Sequence, residues 1–76
     1  MNVQLIYHGS LKKFNNNQPD KIFNVPDGAS VGEMILKSGV PKDQIAFAAL
    51  NGSRVKVAHI LKDGDEVKLF QLVGGG

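Results

Sequence analysis

Residues 30–41 have the sequence Ser-Val-Gly-Glu-Met-Ile-Leu-Lys-Ser-Gly-Val-Pro, which predicts one short helix. Ser30 and Glu33 form a capping box, in which the serine hydroxyl accepts from the glutamate backbone and the glutamate reaches back. Gly39 and Pro41 end the helix, by a left-handed cap and by a missing donor. One apolar stripe lies between these ends, made of Val31, Met34 and Ile35. So short a helix is not stable alone in water, so its stripe must cover a sheet.

Two strands are predicted before this helix. Residues 2–7 alternate, and strand-favouring side chains occupy one side, namely Val3, Leu5 and Tyr7. Residues 21–25 can pair back on them as a second strand. Residues 12–20 contain three consecutive asparagines and a proline, which favour turns, so we expect a loop there.

The second half of the chain predicts further strands. Residues 45–50 and 54–57 form an antiparallel pair, because Asn51 and Gly52 tolerate the positive φ of a tight hairpin turn. The connection that follows contains Ile60 and Leu61, which we expect to be a buried anchor.

A turn and a last strand complete the pattern. Residues 63–65, Asp-Gly-Asp, favour a turn that leads into a strand over residues 66–72. Two strands, a helix and further strands make an α+β chain, and the right-handed crossover rule puts the helix on one sheet face. The predicted architecture is therefore the β-grasp, or ubiquitin-like, fold: a mixed sheet of four to five strands packed on one helix.

Length and composition limit the chemistry that the chain can do. Its 76 residues fit one domain, predicted as a β-grasp domain over residues 1–73 and a flexible glycine tail over residues 74–76. A domain of this size buries only about 60% of its unfolded surface, which leaves little room for an enclosed active site. The chain has no cysteine, which excludes a disulfide, a thiolate metal site and a cysteine nucleophile.

The charge and the hydropathy pattern favour a cytoplasmic protein. The net charge of +2 is mild and its basic residues are spread along the chain, so we expect no nucleic-acid partner. The first residues lack the pattern of a signal peptide, and no apolar run is long enough to span a bilayer.

No set of side chains predicts a catalyst. His8 and His59 lack metal-ligand spacing, and we interpret them as surface or strand-end residues. The acidic residues near the last turn lack the ligand pattern of a calcium loop, and the serines have no base beside them in sequence. We therefore expect no metal, no bound cofactor and no enzymatic activity of the chain's own.

The three terminal glycines have two interpretations. For a generic protein they are a frayed end. Alternatively, a glycine thread without Cβ atoms can enter a narrow channel and present its carboxylate to a partner. With an ordinary pKa of about 3.3 to 3.7 that carboxylate is ionised at neutral pH, so it can attack an activated phosphate.

The end of the chain resembles a known family. Residues 61–76, LKDGDEVKLFQLVGGG, contain an Asp-Gly-Asp turn, a strand, an aromatic residue and an apolar segment before terminal glycines. This order is similar to the C-terminal signature of the MoaD and ThiS sulfur carriers. Residues 50–52, Leu-Asn-Gly, with Val55 are similar to the family's hairpin, whereas the N-terminal half matches only in pattern. The third glycine departs from the usual pair.

The resemblance implies a function and its partners. A ubiquitin-activating-type enzyme would use ATP to adenylate the C-terminal carboxyl of Gly76, and a sulfur donor such as a cysteine desulfurase would convert it to a thiocarboxylate. A synthase subunit would accept the sulfur. The expected partner-binding residues are Phe70, Leu72, Val73, Gly74 and Gly75. For Phe70, core packing is the alternative.

Other functions stay open at this stage. A protein modifier joined through Gly76 to lysines would use the same activated terminus. A binding module that adds a strand to a partner would need neither ATP nor a free terminus. The pathway is also open, because Phe70 and Gln71 resemble the thiamine carriers and the longer N-terminal half resembles the molybdopterin carriers.

Overall fold

The computed structural model describes residues 1–72, which form a mixed five-stranded sheet with one α-helix on one face. In chain order the elements are β1 (Asn2–Tyr7), β2 (Asp20–Asn24), α1 (Val31–Ser38), β3 (Ile45–Leu50), β4 (Ser53–Val55) and β5 (Glu66–Gln71). Two 3-10 helices, Gly9–Asn15 and Lys42–Gln44, precede β2 and β3.

The strand order is β2-β1-β5-β3-β4, which puts the last strand in the centre of the sheet. β1 and β5 run parallel, and every other neighbouring pair is antiparallel. The chain must cross from one side of β5 to the other, and α1 lies in that crossover. The predicted ubiquitin-like α+β architecture is therefore confirmed, with five strands.

The core lies between α1 and the face of the sheet that the helix covers. The predicted helical stripe is buried, with Val31 and Met34 fully enclosed and Ile35 at 4% exposure. Alternate residues of the strands point at it, so the predicted inward side of β1 is confirmed. The largest fully buried side chains are Tyr7, Leu5, Leu11, Met34, Leu69, Val3, Val31 and Val67.

Both ends of α1 are as predicted. The Ser30 hydroxyl accepts from the Glu33 amide at 3.2 Å, and the Ser30 amide donates to the Glu33 carboxylate at 3.3 Å. Gly39 adopts the left-handed cap with φ of 79°. The hairpin turn is also confirmed, because Asn51 and Gly52 both have positive φ.

The predicted loop over residues 12–20 is wrong in its first part. Residues Gly9–Asn15 form a 3-10 helix, with Leu11 fully buried and Phe14 packed against the core. The apolar contacts of these two side chains order a segment whose asparagines otherwise favour turns.

Two predictions in the second half are also corrected. Leu61 is buried, but Ile60 is 53% exposed, because Ile60 pairs with Ser30 as an isolated bridge and successive side chains of extended backbone point opposite ways. β4 ends at Val55 rather than residue 57, because the carbonyl of Val57 accepts from the amide of Gly32 at 2.8 Å and the chain turns towards α1.

Candidate functional site

The candidate site begins at β5, the strand that leads to the C-terminus. Val67 and Leu69 point at the helix and are fully buried, whereas Phe70 is half-buried and points at the opposite face. Core packing beneath α1, the alternative for Phe70, is therefore wrong. The strand's alternation sends this aromatic ring to the face that no helix covers.

Phe70 belongs to a stack of side chains that crosses four strands. Its ring lies 4.3 Å from the ring of His8, nearly parallel at 9°, and 4.7 Å from the ring of Phe47. The guanidinium carbon of Arg54 lies 4.4 Å from the Phe47 ring centroid. We call these four residues the stacked row. Aromatic pairs in such contact contribute about 0.5 to 1.5 kcal/mol each beyond their buried area.

Strand register brings the stacked row together. His8 directly follows β1, and its amide donates to the carbonyl of Leu69 at 3.0 Å, which sets its ring beside Phe70. Phe47 is the direct cross-strand partner of Phe70 in the antiparallel pair. Arg54 pairs with Ala49, whose small side chain leaves room for the guanidinium to lie over the ring two residues away.

Within residues 1–72, one buried polar atom of the row has no hydrogen-bond partner. Among the described residues nothing bonds to Nε2 of His8, although this atom is buried beside the Phe70 ring. A buried imidazole nitrogen without a hydrogen-bond partner carries a desolvation cost. The sequence predicts an ordinary surface or strand-end residue at this position, because the contact of His8 with Phe70 depends on long-range register.

The end of β5 is held on two sides. The Gln71 side-chain carbonyl accepts from the amide of Ser10, and its amide group lies where a Cβ of Gly9 would be. Gly9 also has φ of 57°, so glycine suits both the backbone and the space. On the other side, the amide of Leu72 donates to the carbonyl of Gln44 at 3.0 Å. The chain therefore leaves the sheet from a fixed point.

The predicted site residues fall partly within the structure. Leu72 is 57% exposed at the end of β5, next to the fixed point. Val73, Gly74, Gly75 and Gly76 lie outside the described residues. The structure thus brings Phe70 and Leu72 to the start of the predicted tail.

Within residues 1–72, the polar side chains do not form a metal centre, since no three His, Asp or Glu residues cluster suitably. Burial raises the pKa of the Tyr7 hydroxyl above its ordinary value. No helix in this part of the chain is long and apolar enough to cross a membrane.

Comparison with known proteins gives the family. The model of the ThiS family matches residues 5–76, nearly the whole chain including its three glycines. The chain belongs to the ThiS family. It therefore has the ubiquitin-like fold of the small sulfur carriers, which are carrier proteins rather than catalysts. A comparison with curated proteins found no match.

Solved structures resemble this ThiS-family chain over most of its length. The putative molybdopterin converting factor subunit 1 from Pyrococcus furiosus has a TM-score of 0.79 and 24% identity, over 96% of this chain and 99% of that one. The H. volcanii small archaeal modifier protein 1 has a TM-score of 0.74 and 17% identity, over 91% and 94%.

A third similar structure comes from a complex of subunits 1 and 2 of the molybdopterin-converting factor from Helicobacter pylori. Its TM-score is 0.68 and its identity 21%, with both chains covered completely. At these identities the three likenesses establish the fold alone.

Proposed function

We propose that this protein is a sulfur carrier that holds sulfur as a thiocarboxylate on Gly76. The ThiS family match, which extends through the terminal glycines, carries this proposal. The composition supports it, because the chain has no cysteine that could hold a persulfide instead. The sulfur must then travel on another group, and the terminal carboxyl is the one that the family match includes.

The proposed chemistry has two steps. The Gly76 carboxylate attacks the α-phosphorus of ATP, a carboxyl–phosphate bond forms and pyrophosphate leaves. A sulfur donor then attacks the acyl carbon and AMP leaves; sulfide gives the thiocarboxylate directly, whereas a persulfide gives an acyl disulfide. With a persulfide donor, such as that of a cysteine desulfurase, a thiol must afterwards cleave the acyl disulfide and is itself oxidised to a disulfide.

In this proposal the stacked row is the docking surface for the adenylating enzyme. The row presents half-buried aromatic carbon on the face that lacks a helix, and aromatic and arginine side chains are those that most often dominate binding energy. Leu72 adds an exposed apolar side chain at the start of the tail.

Fixing the end of β5 gives the tail a defined origin. The bonds at Gln71 and Leu72 hold the last described residues against Ser10 and Gln44. When a partner binds the stacked row, the distance between Leu72 and the partner's active site would therefore be constant. The partner would then bind Val73, Gly74 and Gly75 in a narrow channel. The two glycines suit such a channel because they have no Cβ.

The sulfur acceptor would be a synthase in thiamine or molybdopterin biosynthesis. The similar fold in the Helicobacter pylori complex of subunits 1 and 2 supports a synthase subunit as the partner. ATP would be consumed by the activating enzyme, and the carrier itself would bind no cofactor.

The test of this proposal is ATP–pyrophosphate exchange with the activating enzyme from the same genome. The protein should support exchange, and a variant with one residue added after Gly76 should not. The added residue moves the carboxylate by about 3.5 Å, and a misplacement of about 1 Å can already cost on the order of 100-fold. Equal exchange with both proteins would overturn the proposal.

A protein modifier is the second candidate function. The likeness to the H. volcanii small archaeal modifier protein 1 favours it, because a modifier needs the same activated terminus. The two functions differ in the acceptor. Conjugation to lysines would give stable adducts that resist thiol treatment in a lysate supplied with ATP, whereas a pure carrier would give none.

A further inference from the structure

A groove opens at the sheet edge where β4 leaves β3. β4 pairs only with residues 48–50, so the first half of β3 has no strand on that side within the described residues. The chain turns away because the Val57 carbonyl accepts from the Gly32 amide of α1. Gly32 permits this approach, since a Cβ there would lie 3.3 Å from the Val57 side chain. The groove is thus built by the fold.

The groove combines an apolar floor with cations. Its volume is about 480 Å³, within the usual range of ligand sites. Branched apolar side chains from the helix and both strands line it, among them Ile35, Ile45, Val55 and Val57. Three cations also line it, Lys42, Arg54 and Lys56, and none of its lining residues within residues 1–72 is acidic. Val57 is 56% exposed, so apolar area is available to a ligand.

The three cations form no salt bridge within residues 1–72, although the Arg54 guanidinium stacks on the Phe47 ring. Among residues 1–72 no carboxylate lies within ion-pair distance of Lys42, Arg54 or Lys56, although the chain contains seven acidic residues. Lys42 and Lys56 are exposed and come from different elements, the second 3-10 helix and the segment after β4. The fold therefore gathers positive charge around apolar surface without neutralising it.

We propose that this groove binds an acidic peptide segment of a partner protein, one with a branched apolar core flanked by carboxylates. Charge complementarity selects the carboxylates, and the branched floor selects aliphatic side chains. β3 has a bulge between Ile45 and Phe47, which disrupts regular strand addition. Side-chain contacts, rather than a continued ladder, would carry the binding. The groove shares Phe47 and Arg54 with the stacked row, whereas Lys42 and Lys56 lie outside that row.

The test uses the full-length protein labelled with ¹⁵N and a synthetic peptide of valine and leucine with aspartates on each side. Titration followed by NMR should move the amide signals of residues 42–48 and 54–57. The same peptide with lysines in place of the aspartates should bind at least about tenfold more weakly. Added salt should weaken the binding of the acidic peptide.

Charge-reversal variants with a matched control locate the binding. The double variant Lys42→Glu with Lys56→Glu should lower the affinity for the acidic peptide by about tenfold or more. Lys12→Glu with Lys13→Glu changes the net charge equally, at exposed lysines of the first 3-10 helix, and should change affinity less than about threefold. All four positions are exposed, and the amide spectrum of each variant checks that it folds.

Several results would overturn the proposal. These are equal weakening by the two double variants, equal binding of the lysine peptide, or signal changes confined to other surfaces. If groove signals instead shift with protein concentration alone, a second copy is the occupant. If they shift on removal of residues 74–76 without peptide, the chain's own end is the occupant.

Discussion

Tyr7 is the residue whose ionisation the fold changes most clearly. Burial raises the pKa of its hydroxyl above the unfolded value of about 10. A raised folded pKa means that the stabilisation is complete below the unfolded pKa and is lost as the pH rises through the folded pKa. The protein should therefore lose stability in alkali as this group ionises.

The measurement is direct because Tyr7 is the single tyrosine and tryptophan is absent. Phenolate absorbance should titrate above the pH at which free tyrosine does, and Tyr7→Phe should reduce the alkaline fall in unfolding free energy. An ordinary titration curve in the folded protein would contradict the account.

Gly9 and Gln71 form a second contact that single substitutions can test. Gly9→Ala should cost about 2 kcal/mol, since it strains a left-handed residue and displaces the Gln71 amide from Ser10. Gly28→Ala is the control, because its φ is also positive but its added Cβ would meet nothing within 4 Å. It should cost about 1 kcal/mol.

A double-mutant cycle, measured by urea unfolding, tests whether Gly9 and Gln71 are coupled. Gly9→Ala with Gln71→Ala should be no less stable than Gly9→Ala alone, because the contact is already lost. Fully additive losses would show that the two residues are independent.

At the scale of elements, α1 depends on its N-terminal cap. Ser30→Ala should lower the unfolding free energy by about 1 kcal/mol, because the Glu33 amide loses its acceptor. Ser53→Ala in β4 is an exposed control and should change it by less than about 0.5 kcal/mol. Denaturant titration measures both, and equal effects would mean that the cap contributes nothing.

Elements with local signals were predictable from the sequence. The capping box and the Asn51-Gly52 turn act within four residues, so α1 and the β3–β4 hairpin were expected correctly. The first 3-10 helix was missed because burial of Leu11 against distant strands orders it. Ile60 was misassigned because its direction depends on a bridge to Ser30.

Part of the candidate site was predictable from the sequence and part was not. Phe70 and Leu72 were expected from the family's C-terminal pattern. The stacked row was not, because His8, Phe47 and Arg54 meet only through the register of four strands. Hydrophobic periodicity assigns a residue to a face, but cross-strand neighbours on that face follow from register. The partner-binding roles of Phe70, Leu72, Val73, Gly74 and Gly75 and the chemical role of Gly76 all stay predictions.

At the scale of the whole molecule, the stacked row should decide recognition by the activating enzyme. Phe70→Ala removes the central ring of the stacked row, so we expect the KM for the carrier to rise by about tenfold or more. Ile22→Ala is the control, because Ile22 is 67% exposed on the edge strand β2, away from the row. It should leave KM nearly unchanged.

Steady-state pyrophosphate release measures both KM values, and thermal unfolding of each variant separates recognition from stability. A Phe70→Ala variant that keeps the parent KM would show that partners dock elsewhere. The carrier would then present its carboxylate to the enzyme without a contact through the stacked row.

The central claim is the conversion of the Gly76 carboxyl to a thiocarboxylate. Incubation with ATP, the activating enzyme and a sulfur donor, followed by intact mass spectrometry, tests it most directly. We expect one oxygen to be replaced by sulfur, with fragmentation placing the change on Gly76, and no change in the variant extended by one residue. An unchanged mass with an active enzyme, or sulfur found elsewhere in the chain, would contradict it.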